Sequence, residues 1–262
     1  MILRGRIARK EERRMIKRSD GPWLAILSFH KIGELPRNGR KTWFYISEKT
    51  FRRQLQFLKN HSWEVIDLAT FLRGLAEPAV LPPKAALLTF DDGYRSVRRT
   101  VLPWLRRFGY PAVLFMPTKY IARTNSFDLG NEPRESMCDW NDLLELERCG
   151  ISVQSHGLSH RPFPDLDATE QRKELLRSKH VLEKGLKKPV EVFAYPYGAD
   201  GRRAGDRRRL RRVLEQIGYR AAFLYGGGPK RLPVSNPFRL PRLAMGPDTS
   251  LRRELEAGTR RN

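Results

Sequence analysis

From Trp23 onward, strand-length apolar runs alternate with helix-length amphipathic stretches, and this alternation is the strongest constraint on how the chain can fold. It is the signature of a mostly parallel sheet wrapped by helices. Buried strands are expected at residues 24–29, 63–66, 85–90, 112–116, 151–154 and 190–194, with closing strands at 220–224 and 238–243. Helices are expected at 48–59, capped by Ser47, and at 68–75, 94–108, 139–148, 166–186 and 207–217. The pattern amounts to seven or so βα units, closed or nearly closed into an α/β barrel. In barrels and open parallel sheets alike, chemistry collects at the C-terminal ends of the strands.

At 262 residues, with 40% hydrophobic and 31% charged residues, the chain can bury a large core as one domain. No apolar run is long enough for a transmembrane helix. The expected organisation is a basic appendage over residues 1–20, a single domain over 21–248 and a charged tail over 249–262. The basic N-terminus is not followed by an apolar signal-peptide core, so the expected location is the cytoplasm. Cys138 and Cys149 flank one predicted helix and stand roughly 15 Å apart, beyond disulfide reach, and two free thiols suit a reducing compartment.

The formal net charge is +22. It concentrates in residues 1–18, with eight Lys or Arg against Glu11 and Glu12, and in residues 202–212, with seven arginines against Asp206. Such surfaces attract anionic lipid headgroups or phosphate-bearing polymers without implying sequence recognition, and they equally suit a solvated surface. The basic runs lack interleaved aromatics and no nucleic-acid motif occurs, so no specific nucleic acid is expected as a partner.

Two strand ends carry the chemistry. Thr89-Phe90-Asp91-Asp92-Gly93 follows the third buried run, and Ser155-His156-Gly157-Leu158-Ser159-His160 follows the fifth. Asp-Asp-Gly alone also reads as an ordinary turn or helix cap. Two of only five histidines, spaced four apart in one loop, point more strongly to a metal, although a surface turn remains open as a reading. Together the motifs offer one carboxylate and two imidazoles for a divalent ion, with a second carboxylate to spare. Three protein ligands and an open position describe a catalytic zinc site.

These two motifs, followed by Phe193-Ala194-Tyr195-Pro196-Tyr197-Gly198, resemble the polysaccharide deacetylase family, or NodB homology domain, over about residues 24–245. The Tyr-Pro-Tyr-Gly segment is most similar to exopolysaccharide (poly-N-acetylglucosamine) deacetylases. The resemblance implies a deformed (β/α) barrel and hydrolysis of N-acetyl groups from hexosamine units, releasing acetate. It implies Asp91 as general base and Asp92, His156 and His160 as metal ligands. The metal would be zinc, or else cobalt, manganese or nickel. It also implies an oxyanion contact from the backbone N–H of Tyr197, beside Tyr195.

Two positions depart from the family pattern. Ala194 stands where many members carry an arginine that orients the catalytic aspartate, and Arg242, near the end of the last predicted strand, is the candidate to replace it. The C-terminal Leu-x-His segment, whose histidine protonates the leaving amine, is absent. His30, ending the first strand, is the candidate acid or substrate contact, with a packed histidine as the alternative. Trp140 is a candidate sugar-stacking wall or a core residue. Phe51, Leu55, Leu58 and Trp104 read as core, and His61 and His180 as surface.

The expected substrate is an N-acetylated glycan or a lipid-linked sugar, with peripheral contact to the inner face of an anionic membrane. The alternative is a non-catalytic glycan- or membrane-binding module on the same fold.

Overall fold

The two most apolar seven-residue runs pair in the middle of the sheet, as expected for strands covered on both faces. The computed structural model describes residues 21–34 and 42–260, and the basic appendage read over residues 1–20 lies outside them. In chain order, β1 (Trp23–Phe29), β2 (Lys31–Ile32) and β3 (Tyr45–Ile46) precede α1 (Glu48–Asn60), β4 (Glu64–Val65), α2 (Leu68–Ala76) and β5 (Lys84–Phe90). Then come α3 (Leu102–Phe108), β6 (Ala112–Met116), α4 (Trp140–Arg148), β7 (Ile151–Ser155), α5 (Ala168–Leu186) and β8 (Val192–Ala194). The last elements are α6 (Ala204–Ile217), β9 (Ala221–Phe223), β10 (Lys230–Arg231), β11 (Leu243–Ala244) and α7 (Leu251–Arg260).

The parallel strands run in the order β1, β5, β6, β7, β8, β9. The segment after β10 completes the ring. Leu240 exchanges backbone hydrogen bonds with Ala222 and Leu224 on one side, while β11 pairs in parallel with β1 on the other. The result is the expected deformed (β/α) barrel, with one very short closing strand. The expected strand over 238–243 is pulled between two neighbours, so only Leu243 and Ala244 hold regular pairing.

Strand side chains alternate between two buried clusters. Leu24, Ile26, Leu87, Val113, Phe115, Val192 and Phe223 fill the barrel interior together with Phe71 and Leu72 of α2. Leu27, Phe29, Leu88, Phe90, Leu114, Met116 and Val153 face the helices, meeting Phe51, Leu55 and Leu58 of α1 and Leu175 and Leu182 of α5. Continuing the interior parity of β5 past its end places Asp91 over the barrel, and the even parity of β7 brings His156 there as well.

Three helices start away from their expected ends. A π-type turn, Val97–Val101, precedes α3, because Pro103 has no N–H to return to the previous turn; the Leu102 N–H reaches back to Val97 instead. α5 starts after Asp167, whose side chain forms a capping box with Glu170. α6 begins at Ala204 rather than residue 207. Residues 251–260, expected as a charged tail, form a helix that buries Leu251 and Leu255 in the core. The two cysteines are free, and burial pushes the Cys138 thiol up to about 12.

Candidate active site

A cavity of about 330 Å³ opens at the C-terminal ends of the strands, lined by His30, Asp91, Asp92, His156, His160 and Arg242 among others. Asp91 is 2% exposed and Arg242 is fully buried. The guanidinium grips the carboxylate with two parallel bonds, Nη1 to Oδ1 at 2.6 Å and Nη2 to Oδ2 at 2.7 Å. Arg242 Nε also donates to the Leu224 carbonyl at 2.8 Å, and Nη1 to Thr89 Oγ1 at 3.2 Å, so the fork is locked. Ser28 Oγ donates to Asp91 Oδ2 at 3.3 Å, and the Asp91 N–H donates to the Phe29 carbonyl. Burial works to raise the Asp91 carboxyl, but the charge and hydrogen bonds of Arg242, together with His156 and His30, outweigh it and leave the group below the usual carboxylate range.

Asp92 turns away from its neighbour by adopting a positive φ of 69°. Its Oδ1 lies 3.3 Å from His156 Nε2 and 3.0 Å from His160 Nε2. Ligand atoms of these three buried residues fall within 4.8 Å of one another. Asp92 Oδ1 nevertheless accepts no hydrogen bond of ordinary geometry, although both imidazole nitrogens lie within 3.3 Å of it. The His156 Nδ1–H donates to the Ala194 carbonyl at 2.8 Å, which leaves Nε2 with its lone pair toward that centre. Burial lowers the His156 pKa, but Asp92 and Asp91 outweigh it and raise it, so the local field favours positive charge. An orphaned carboxylate oxygen, two convergent imidazoles and a cation-seeking field fit a divalent metal.

Three of the six non-glycine residues with positive φ among the described residues line this pocket: Asp92, His160 at 58° and Tyr197 at 56°. Each costs about 1–3 kcal/mol unless its surroundings enforce it, and such clustering is typical of functional sites. Gly93, at φ 80°, is required twice over: a Cβ there would also lie 2.0 Å from Met116 Sδ.

His30 sits in the site, with Nε2 3.8 Å from Asp91 Oδ2 and its ring between Phe44 and Tyr225. Burial is the dominant influence and lowers its pKa, so the imidazole is neutral at pH 7. Tyr197 lines the pocket, packs edge-on against His160 and donates through its hydroxyl to Asp128 Oδ1 at 3.3 Å. Tyr195 borders the pocket, but its hydroxyl is spent on the Phe238 carbonyl. Trp140 is not brought in: it packs against Gly185 of α5 on the outside of the barrel, where helix packing rather than a sugar claims its ring. His61 stacks on Phe57 and His180 is exposed, both away from the site.

Sequence reasoning missed Glu174. Its carboxylate accepts from the N–H groups of Leu158 and Ser159 at 2.7 and 2.9 Å and from Ser159 Oγ, clamping the loop between the two histidines. The signal was present: Gln171, Glu174 and Ser178 put polar groups on the buried face of α5, where apolar side chains are the rule. Also missed were Asp128, whose carboxyl is raised by burial and by Asp92, and the buried Lys31–Glu132 pair, all from segments with no periodic pattern.

A barrel that collects an arginine-paired aspartate and a carboxylate–imidazole cluster at its strand ends has the side chains of a hydrolytic site. Residues 79–222 match the family described as polysaccharide deacetylase, and the chain belongs to that family. It is 24% identical over 161 residues to the poly-beta-1,6-N-acetyl-D-glucosamine N-deacetylase of Staphylococcus epidermidis, a match covering 59% of this chain and 54% of that protein. The chain thus spans about half the length of the curated relatives it matches. Among solved structures, the Streptococcus pyogenes deacetylase PplD superimposes with a TM-score of 0.73 at 19% identity, covering 88% of this chain and 95% of that one. IcaB from Ammonifex degensii gives a TM-score of 0.72 at 24% identity, covering 87% and 93%. Both likenesses concern the fold.

Proposed function

We propose that this chain is a metal-dependent N-deacetylase that removes acetyl groups from N-acetylhexosamine units of a glycan or glycoconjugate. The observation that carries the reading is the pairing of Asp91 with Arg242 beside the Asp92–His156–His160 cluster in one buried pocket. Family membership and the named activity of the staphylococcal relative support the reaction and the substrate class.

A divalent ion held by Asp92, His156 and His160, with zinc the best fit to one carboxylate and two imidazoles, supplies Lewis acidity toward the acetyl carbonyl and lowers the pKa of the attacking water. Asp91, kept ionised by Arg242, accepts the water's proton as the C–N carbon is attacked. The left-handed turn at Tyr197 brings its residue to the pocket wall, where its backbone N–H is assigned to the oxyanion. Arg242 and Ser28 already donate to Asp91 Oδ2, and His30 Nε2 stands 3.8 Å from it in the same pocket, beyond a direct hydrogen bond, so a bridging water would carry the proton Asp91 has taken. His30, neutral at rest, is assigned to pass that proton to the departing amine. Acetate and a free amine are the products.

The test is acetate release from N-acetylglucosamine oligomers after chelator treatment and metal restoration. Loss on chelation and recovery with zinc, cobalt, manganese or nickel is expected. Acetate release unaffected by complete metal removal would overturn the reading.

A further inference from the structure

On the outside of the barrel, away from the active-site pocket, α1 and α3 form a second cavity of about 320 Å³ lined by Arg52, Arg53, Gln56, Trp104, Arg107 and Phe108. The guanidinium carbons of Arg52 and Arg107 each lie 5.5 Å from the centre of the Trp104 ring, which holds both cations in place. Trp104 is itself fixed, its Nε1–H donating to Glu48 Oε1 at 2.7 Å. Lys49, Arg52, Arg53 and Gln56 share one exposed face of α1, at i, i+3, i+4 and i+7. Arg99, Arg106 and Arg107 are exposed on the neighbouring segment.

No ion pair ties Lys49, Arg52, Arg53, Arg99, Arg106 or Arg107 to a carboxylate among the described residues. The arginine-rich α6 differs, since Arg209 pairs with Asp206 and Arg211 with Glu215. The α1–α3 face is therefore the less neutralised of the two, although α6 has the denser run of arginines in the sequence.

We infer that this face docks on an anionic phospholipid surface, with the Arg52–Arg53–Arg107 cavity receiving a lipid phosphate. Six cations without an ion-pair contact among the described residues, against the one nearby carboxylate of Glu48, match a negatively charged bilayer. Two half-buried aromatic rings at the centre of the patch, Trp104 and Phe108, suit the headgroup level, where amphipathic rings collect. Trp104 is already engaged by two guanidiniums and offers little to a stacking base, which disfavours single-stranded nucleic acid. The inference is independent of the deacetylase chemistry and would survive its failure.

Sedimentation of the full chain with vesicles of phosphatidylglycerol in phosphatidylcholine, against phosphatidylcholine alone, tests it. Selective binding to the anionic vesicles is expected. The triple variant Arg52→Gln, Arg53→Gln, Arg107→Gln should bind roughly 100-fold more weakly, from the loss of three surface-facing charges. A matched triple on α6, Arg208→Gln, Arg209→Gln, Arg212→Gln, should lose less than about fivefold, the worth of one such charge. All six residues are exposed, so thermal melting and acetate release should be unchanged in both triples. Equal losses in the two triples would reduce the effect to net charge and overturn the inference. So would binding to polyphosphate without binding to anionic vesicles.

Discussion

Asp91 and Asp92 leave the end of a seven-residue central strand, whereas Asp128, Asn131 and Glu132 reach the same pocket from the long connection between β6 and α4. In the first group Asp91 is held by a locked guanidinium and a backbone bond, and the histidines facing Asp92 sit on a loop clamped by Glu174. The second is fixed mainly by side chains on neighbouring loops, such as Tyr197 on Asp128 and Lys31 and Thr42 on Glu132. The difference separates two tasks. On the proposed function, groups that move a proton need fixed geometry and a fixed charge state, while groups proposed to meet a substrate can be carried by adaptable loops.

That contrast predicts a graded set of effects. His156→Ala or His160→Ala should abolish metal retention, measured on the purified protein, and reduce acetate release to background. Arg242→Met should leave a buried carboxylate without its partner, at a cost of about 3–5 kcal/mol in thermal or denaturant unfolding.

The same substitution has a pH signature. In the native protein Asp91 is held below its usual range, so its contribution to stability is present above that range and fades as the pH falls through the depressed value. With both Arg242 contributions gone, burial outweighs what His156 and His30 still supply, and the Asp91 carboxyl of Arg242→Met rises. The acid limb of kcat/KM should then move to higher pH, and the variant's deficit in melting temperature should narrow on acidification. An unmoved acid limb would mean that Arg242 does not govern Asp91.

Glu174→Gln, which weakens the loop clamp without touching a ligand, should reduce metal affinity by about tenfold, read by competition with a chromogenic chelator. Tyr197→Phe, on the loop-built side, should alter KM by no more than a few fold and leave kcat nearly unchanged. A large loss of kcat there would erase the proposed division of labour.

The strand-built half was legible in the sequence because apolar runs mark strands and chemistry collects at their C-terminal ends. That reasoning placed Asp91, Asp92, His156 and His160 at one end of the sheet. Arg242 was legible only by its place near a strand end, since nothing local links it to Asp91 across 151 residues. The loop-built half was not legible, because residues 117–139 have no hydrophobic period to place Asp128 or Glu132. Trp140 stayed open between a sugar wall and a core residue for a related reason: an aromatic at a helix start looks the same whether it meets a ligand or a glycine on the next helix, and here its packing against Gly185 and the core decides it.

The most direct test of the account is acetate release and bound metal measured together in the native protein and in Asp91→Asn. The account predicts a rate lower by about 10²–10⁴-fold with metal content unchanged, since the base is lost and the ligands are not. Unchanged acetate release by Asp91→Asn, with its metal in place, would contradict it.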